Sequence, residues 1–275
     1  MKYYLYNPLA NKGIKPAFLD NIEEGNDIEI KEVIDLDYPQ FIASLKDDDE
    51  LVLIGGDGTI NFFINEIKDV DLKCKVYLKA IGTSNDFLTD IEKDVKEEVL
   101  INEYLNNLPT VYVKELERRF INGVGFGIDG YCKQKEADIK KETEKDVNYS
   151  SVIMKSFLFQ FKPRKATIIV DGNEYHHEHV WVASTLKGRY YAGGVKAAPN
   201  QNRINDEVSV VVYHSKSRIK ALSAVPSIFK GEHLKKEKMI TIYRGRDIVV
   251  KFDKPSILLI DGERVVDVLE YQVRA

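Results

Sequence analysis

The chain has 275 residues, 44% of them hydrophobic and 31% charged, with a formal net charge of -4. That mixture suits a globular protein with a sizeable core, and the length favours two domains over one. The acidic balance disfavours nucleic acid as a partner and disfavours strong electrostatic attachment to an anionic membrane.

Taken in chain order, the first third alternates strand-like and helix-like segments. Lys2–Tyr6 reads as a strand, and Asn7-Pro8 and Gly13 follow it as turn signals. Leu51–Ile54 is a short continuous apolar run, the mark of a strand buried on both faces. Ile60, Phe63, Ile64 and Ile67 then recur at helical spacing. Val76–Ile81 reads as a strand and Val95–Leu105 as a helix. Such alternation predicts a parallel sheet covered by helices. After about Glu117 the pattern turns to strands: Phe120–Tyr131, Ala166–Asp171, His179–Thr185, Glu207–Tyr213, Met239–Tyr243, Asp247–Phe252 and Ser256–Ile260. Asp171-Gly172 and Asp261-Gly262 punctuate them as hairpin turns. Helices are expected near Tyr149–Phe161 and Arg218–Phe229, and a solvated helix or loop over Lys133–Asp146. The fold class is therefore α/β plus all-β. An N-terminal parallel-sheet α/β nucleotide-binding domain (1–117) precedes a C-terminal β-sandwich domain (118–275).

No segment has the length and hydropathy of a membrane span, and the N-terminal residues read as a strand and not a signal peptide. Cys74 and Cys132 stand far apart and form no disulfide framework, which points to a reduced cytoplasmic setting.

The central feature is Gly55-Gly56-Asp57-Gly58-Thr59, where a buried strand turns into a helix. Glycines leave no Cβ in the way of a ligand, and a helix start offers unpaired amides and partial positive charge. The pair makes an anion site suited to phosphate. Asp57 would repel phosphate unless a metal ion or a substrate hydroxyl lies beside it; its bland reading, with Thr59, is a helix cap. No Gly-Lys-Ser/Thr follows, so this is not a P-loop, and the glycine spacing is not that of a dinucleotide fingerprint. A second loop, Gly82-Thr83-Ser84-Asn85, also follows a strand; in a doubly wound sheet such loops converge on the ligand crevice, although a plain Asx turn fits equally. Gly123, Gly125 and Gly127 leave one face of a strand bare, for packing or for ligand approach, and Asp129 is read as ending that strand. In His176-His177-Glu178-His179, strand alternation leaves only His177 and His179 on a shared face, which argues against a metal cluster.

Together these segments resemble the catalytic domain shared by diacylglycerol kinases, sphingosine kinases and bacterial lipid kinases. The resemblance runs in register along nearly the whole chain. It takes in Asn7-Pro8-Leu9-Ala10-Asn11-Lys12-Gly13, the GGDGT turn and Gly82–Phe87. It continues through Phe120–Gly130 and Tyr190–Pro199 to Asp261-Gly262-Glu263. It implies ATP and magnesium as cofactors, bound between the two domains, and a diacylglycerol-like lipid as acceptor at the membrane surface. It gives Glu263 as proton acceptor and Asp57 as a catalytic carboxylate tied to phosphates, metal and substrate hydroxyl. ATP contacts are implied for Asn7, Pro8, Leu9, Ala10, Asn11, Gly55, Gly56, Gly58, Thr59, Thr83 and Asn85. A structural magnesium is implied at Asp206 and the backbone carbonyls of Arg203 and Val208. Location is expected to be cytoplasmic, peripheral where the lipid is met; whether the chain forms a homodimer is left open. Two alternatives stand beside this reading. One is an NAD kinase, which also uses GGDGT but normally has Asn-Glu where Asn122-Gly123 stands here. The other is a nucleotide-binding regulatory protein with little turnover, suggested by Phe62 and Glu207 at positions where the family pattern differs.

Overall fold

The computed structural model describes residues 1–275 apart from 9–15, 23, 24, 26, 35, 82–84, 144–151, 153, 236 and 237; the side chains of 142, 143, 157, 234 and 235 are also outside the description. Two compact units divide at Leu108/Pro109. The sequence places that boundary later, at 117/118. Residues 110–119 pair within the second unit's sheet, which draws them out of the first.

The first unit is built on a five-stranded sheet. Its strands are β1 (Lys2–Tyr6), β2 (Ile28–Glu32), β3 (Glu50–Gly55), β4 (Lys75–Ala80) and β5 (Glu98–Leu100), in the order β2-β1-β3-β4-β5. The first four are parallel, and β5 runs antiparallel to β4. Leu51, Val52, Leu53 and Ile54 are all buried, as a central strand covered on both faces requires. Val52 and Ile54 share one core with Tyr4, Tyr6 and Leu19. Helix α1 (Tyr38–Ser44) starts where the Asp37 side chain accepts the Gln40 amide at 3.0 Å. Helix α2 (Asp57–Glu66) buries Ile60, Phe63 and Ile64, the stripe its spacing predicts. Phe62 falls between them and is half exposed, its ring edge-on to Tyr38. A short helix, α3 (Asp86–Asp90), follows β4.

The helix expected over Val95–Leu105 is absent. Instead β5 pairs with β4, and a single 3-10 turn at Asn102–Tyr104 follows. The Asn102 side chain decides this. Its Oδ1 accepts the Val76 amide at 2.7 Å and its Nδ2 donates to the Cys74 carbonyl at 2.9 Å, which fastens the segment to the β4 edge.

The second unit is antiparallel. Its strands are β6 (Thr110–Val113), β7 (Leu116–Arg119), β8 (Gly123–Gly127), β9 (Arg164–Val170), β10 (Asn173–Leu186), β11 (Val208–His214), β12 (Ile240–Gly245), β13 (Asp247–Ile260) and β14 (Glu263–Arg274). The long strands β10 and β13 pair with β9 along their first halves and with β8 along their second. Both shift register midway, the bend by which a strand passes from one layer of a sandwich to the other. The halves close on one core containing Phe126, Ile168, Val250, Phe252, Leu258 and Tyr271. A second core, with Trp181, Tyr213, Cys132 and Phe161, gathers residues of α4 (Ile128–Thr143) and α5 (Arg218–Phe229). The Ser217 hydroxyl caps α5 at the Lys220 amide.

Several expectations change here. Phe120–Tyr131 is not one strand: β8 ends at Gly127 and Asp129 lies in the first turn of α4. Asp247–Phe252 and Ser256–Ile260 are one bent strand, and β14 continues past the last predicted one. The helix expected near Tyr149–Phe161 is present where described, at Val152, Met154, Lys155 and Ser156–Gln160; residues 149–151 and 153 lie outside the described residues. At the histidine run, His179 has φ +55° within the register shift, which breaks the strand alternation. His177 Nε2 meets the Tyr243 hydroxyl at 2.8 Å instead.

Candidate active site

In the first unit the chain leaves β1 toward β2 on one side and leaves β3 toward β4 on the other. That makes the carboxyl ends of β1 and β3 the topological switch point, where doubly wound sheets bind ligands. Register places Tyr6 beside Ile54 and Gly55 beside Ala80. Asn7 and Pro8, Gly55 and Gly56, and the residues after β4 therefore leave the sheet at one edge.

The Gly55–Thr59 turn is specified atom by atom. A Cβ on Gly55 would sit 1.8 Å from the Thr59 hydroxyl oxygen, so only glycine lets Thr59 fold back. Gly56 caps α2 in an extended conformation, and its carbonyl accepts the Thr59 amide at 2.9 Å. A Cβ on Gly58 would meet nothing within 4 Å, so the first turn of α2 is bare on that side.

Asp57 does more than begin the helix. Its Oδ2 accepts the Asp86 amide at 2.9 Å and its Oδ1 accepts the Phe87 amide at 3.1 Å. The carboxylate therefore caps α3 and ties the loop after β3 to the loop after β4. Asn85 is the residue before that helix, and its carbonyl accepts the Thr89 amide and hydroxyl. Of the predicted ATP contacts, Leu9, Ala10, Asn11 and Thr83 lie outside the described residues.

In the second unit, Asp261 and Gly262 have φ of +44° and +90° and close the β13–β14 hairpin as a two-residue turn. The Asp261 carboxylate accepts three consecutive amides: Ile121 at 2.6 Å, Asn122 at 2.9 Å and Gly123 at 2.8 Å. Arg203, itself buried, donates to the Ile121 carbonyl and to Asn122 Oδ1. The Lys187 amide donates to the Asn122 carbonyl at 2.9 Å. Residues 121–123, just ahead of the bare strand β8, are thus gripped by a carboxylate, a guanidinium and a backbone amide. The sequence marks Asp261 only as a turn residue, since its partners lie some 140 positions away. Asp261→Ala, which strands three amides, is expected to lower unfolding stability by about 3 kcal/mol. Asp261→Asn, which keeps the oxygen shared by Asn122 and Gly123, should lose roughly half that. Urea denaturation of the two variants beside the parent checks the ranking.

Glu263 opens β14 directly after that turn. Its side chain is 61% exposed and ion-paired with Arg118 of β7. Lys133 donates to the Gly262 carbonyl at 2.9 Å. Asp206 is exposed and paired with Arg246. Val208 begins β11 and pairs with Gly245. Lys187 is 1% exposed, and its ammonium donates to the Asn205 carbonyl at 2.6 Å. Burial, reinforced by the Arg203 charge, pulls Lys187 down to about 8, which leaves it protonated at neutral pH. Burial pushes Asp129 up to about 6, and its Oδ1 has no partner. Among the described residues, no group of three or more His, Cys, Asp or Glu side chains is disposed to hold a metal ion, and no helix is long and apolar enough to cross a membrane.

A parallel α/β unit with a glycine turn at its switch point, followed by an antiparallel unit of two-layered strands, defines a class of two-part proteins. Comparison narrows the class. Residues 3–111 match the diacylglycerol kinase catalytic domain, and residues 122–271 match the YegS C-terminal NAD kinase beta sandwich-like domain. The chain belongs to the diacylglycerol kinase family. It is 24% identical to YtlR of Bacillus subtilis (strain 168), provisionally named a lipid kinase, over 78% of this chain and 73% of that protein. It is 21% identical to a diacylglycerol kinase of Mycobacterium tuberculosis, over 72% of this chain and 66% of that protein. The fold matches that of a Bacillus anthracis str. Sterne protein provisionally named a diacylglycerol kinase. The TM-score is 0.67 at 17% identity, covering 99% of this chain and 91% of the other.

Proposed function

We infer that the chain is an ATP-dependent kinase that phosphorylates a hydroxyl of a diacylglycerol-like lipid, working as a peripheral protein at the membrane surface. The observation that carries this reading is the bare first turn of α2 at Gly58, set at the switch point of the sheet, in a chain of the diacylglycerol kinase family. Phosphate oxygens suit the helix start at Asp57–Thr59, where backbone amides and the helix dipole favour negative charge. Asn7 and Pro8 flank it at the end of β1, and Asn85 stands beyond β4; Leu9, Ala10, Asn11 and Thr83 are proposed to add to the same nucleotide contacts. Magnesium, arriving with the triphosphate, supplies neutralisation of its charge.

The lipid hydroxyl oxygen attacks the γ-phosphorus, the bond to the β-phosphate oxygen breaks, and ADP leaves. The proton passes to the Glu263 carboxylate. Asp57, whose two oxygens each already accept an amide, is the poorer proton acceptor and the better fixed negative charge for orienting the hydroxyl or the metal. Positioning and charge stabilisation carry most of such a transfer.

The test is a panel assay of the purified full chain with labelled ATP and magnesium. Acceptors are diacylglycerol, monoacylglycerol, phosphatidylglycerol, sphingosine and NAD. Label is expected in phosphatidic acid. Label in NAD alone overturns the lipid reading. ATP binding without consumption across the panel overturns the kinase reading in favour of a regulatory protein.

A further inference from the structure

The family resemblance implies a divalent ion held by Asp206 and by the carbonyls of Arg203 and Val208. The side chains around that turn are disposed for something else. Asn205, directly before the expected ligand Asp206, gives its carbonyl to the Lys187 ammonium at 2.6 Å. Lys187 reaches that carbonyl from the end of β10 and is 1% exposed, with the Asp206 charge attracting it and the Arg203 charge opposing it. The Asp206 carboxylate, which would be the ion's anionic ligand, is already paired with the Arg246 guanidinium. Arg203 brings a third cation to the same few residues, with its head turned to Ile121 and Asn122. A divalent ion prefers a cage with an excess of anionic oxygen. Here the Asp206 carboxylate is paired with Arg246, and the buried Lys187 ammonium already occupies the Asn205 carbonyl, so a divalent ion would add positive charge beside two cations.

The rest of the turn is closed by protein groups. Gln201 Nε2 donates to the Glu207 carbonyl at 2.9 Å, and the Ser209 hydroxyl donates to Gln201 Oε1 at 2.5 Å. Arg244 donates to the Asn200 carbonyl at 2.5 Å. Gln201 and Ser209 are buried, and these bonds tie carbonyls of the 200–208 turn to protein donors.

We propose that the Lys187 ammonium is the resident cation of the 200–208 turn, replacing the structural divalent ion that the family resemblance implies there. The turn in turn holds Arg203 against residues 121–123, so Lys187 is a positioning residue for the segment that precedes β8. The magnesium that accompanies ATP is a separate ion, untouched by this substitution.

Thermal unfolding of the nucleotide-free full chain tests the assignment without reference to activity. The parent protein is expected to melt at the same temperature in excess chelator and in millimolar magnesium chloride. Lys187→Met keeps the length of the side chain but removes the charge and the donor. It is expected to lower the midpoint by roughly 5 °C in both buffers, since it removes the hydrogen bond between the buried ammonium and the Asn205 carbonyl. A parent midpoint that falls in chelator and is restored by magnesium overturns the proposal, as does a Lys187→Met protein that melts like the parent. Should the variant fail to fold, the parent's response to chelator decides the question alone.

Discussion

Glu263→Gln is expected to lower turnover by roughly 10²–10⁴-fold while the Michaelis constant for ATP stays within about twofold. Glutamine keeps the shape of the side chain and loses only its capacity to take a proton, so the loss reads as the contribution of a general base. The substitution is also mechanically isolated. The Glu263 side chain is 61% exposed, and its ion pair to Arg118 is worth little to stability in water. The turn that carries Glu263 is fixed by other groups: Asp261 on the 121–123 amides, and Lys133 on the Gly262 carbonyl. A fall in rate therefore cannot be traced to a disordered hairpin, and the melting curve of the variant should overlay that of the parent. Steady-state kinetics with diacylglycerol as acceptor supply the measurement. Unchanged turnover would take the proton-acceptor role away from Glu263.

The two halves of the molecule were unequally legible in the sequence. Where one strand or helix is specified by its own residues, the reading held. Leu51–Ile54 is buried throughout, and Arg218–Phe229 is helical from its serine cap onward. Both Asp-Gly pairs close hairpins, because their positive φ values are a local requirement that glycine meets. Errors arose where a distant partner decides the local state. Val95–Leu105 carries apolar residues at helical spacing, yet the edge of β4 takes Glu98–Leu100 as a strand. The positive φ of Asp267 interrupts the alternation of β14, which hid the last strand of the sheet.

The candidate site divides the same way. Its glycines and carboxylates were visible because their chemistry is specific to a few residue types. Lys187 and Arg203 were not visible as side chains. A lysine or arginine in sequence reads as surface, and only the fold reveals that Lys187 and Arg203 are buried with carbonyl partners. Asp261 shows the converse: a residue assigned to a turn proves also to be the acceptor that orders another strand.

Asp57→Asn separates two roles that the structure superimposes on one carboxylate. As the cap of α3, Asp57 accepts the Asp86 and Phe87 amides. Asparagine keeps one of the two acceptor oxygens, so if capping were the whole of its contribution, Asp57→Asn would lose about one hydrogen bond of stability and keep most of the activity. If instead its negative charge orients the attacking hydroxyl or the metal, asparagine fails even though half of the cap survives. The expected result is the second: phosphoryl transfer falls below about one part in 10³, with a melting midpoint roughly 2–4 °C below the parent, the cost of the one amide that asparagine cannot accept. Asp57→Ala should be equally inactive and should lose about 2 kcal/mol of stability, since both amides lose their acceptor. The order of the three proteins, melting in the sequence parent, asparagine, alanine from highest to lowest, with only the parent active, is what a charge-bearing role predicts. An asparagine variant that phosphorylates diacylglycerol at close to the parent rate would reduce Asp57 to a structural residue and leave the glycine turn as the whole of the first unit's share in the chemistry.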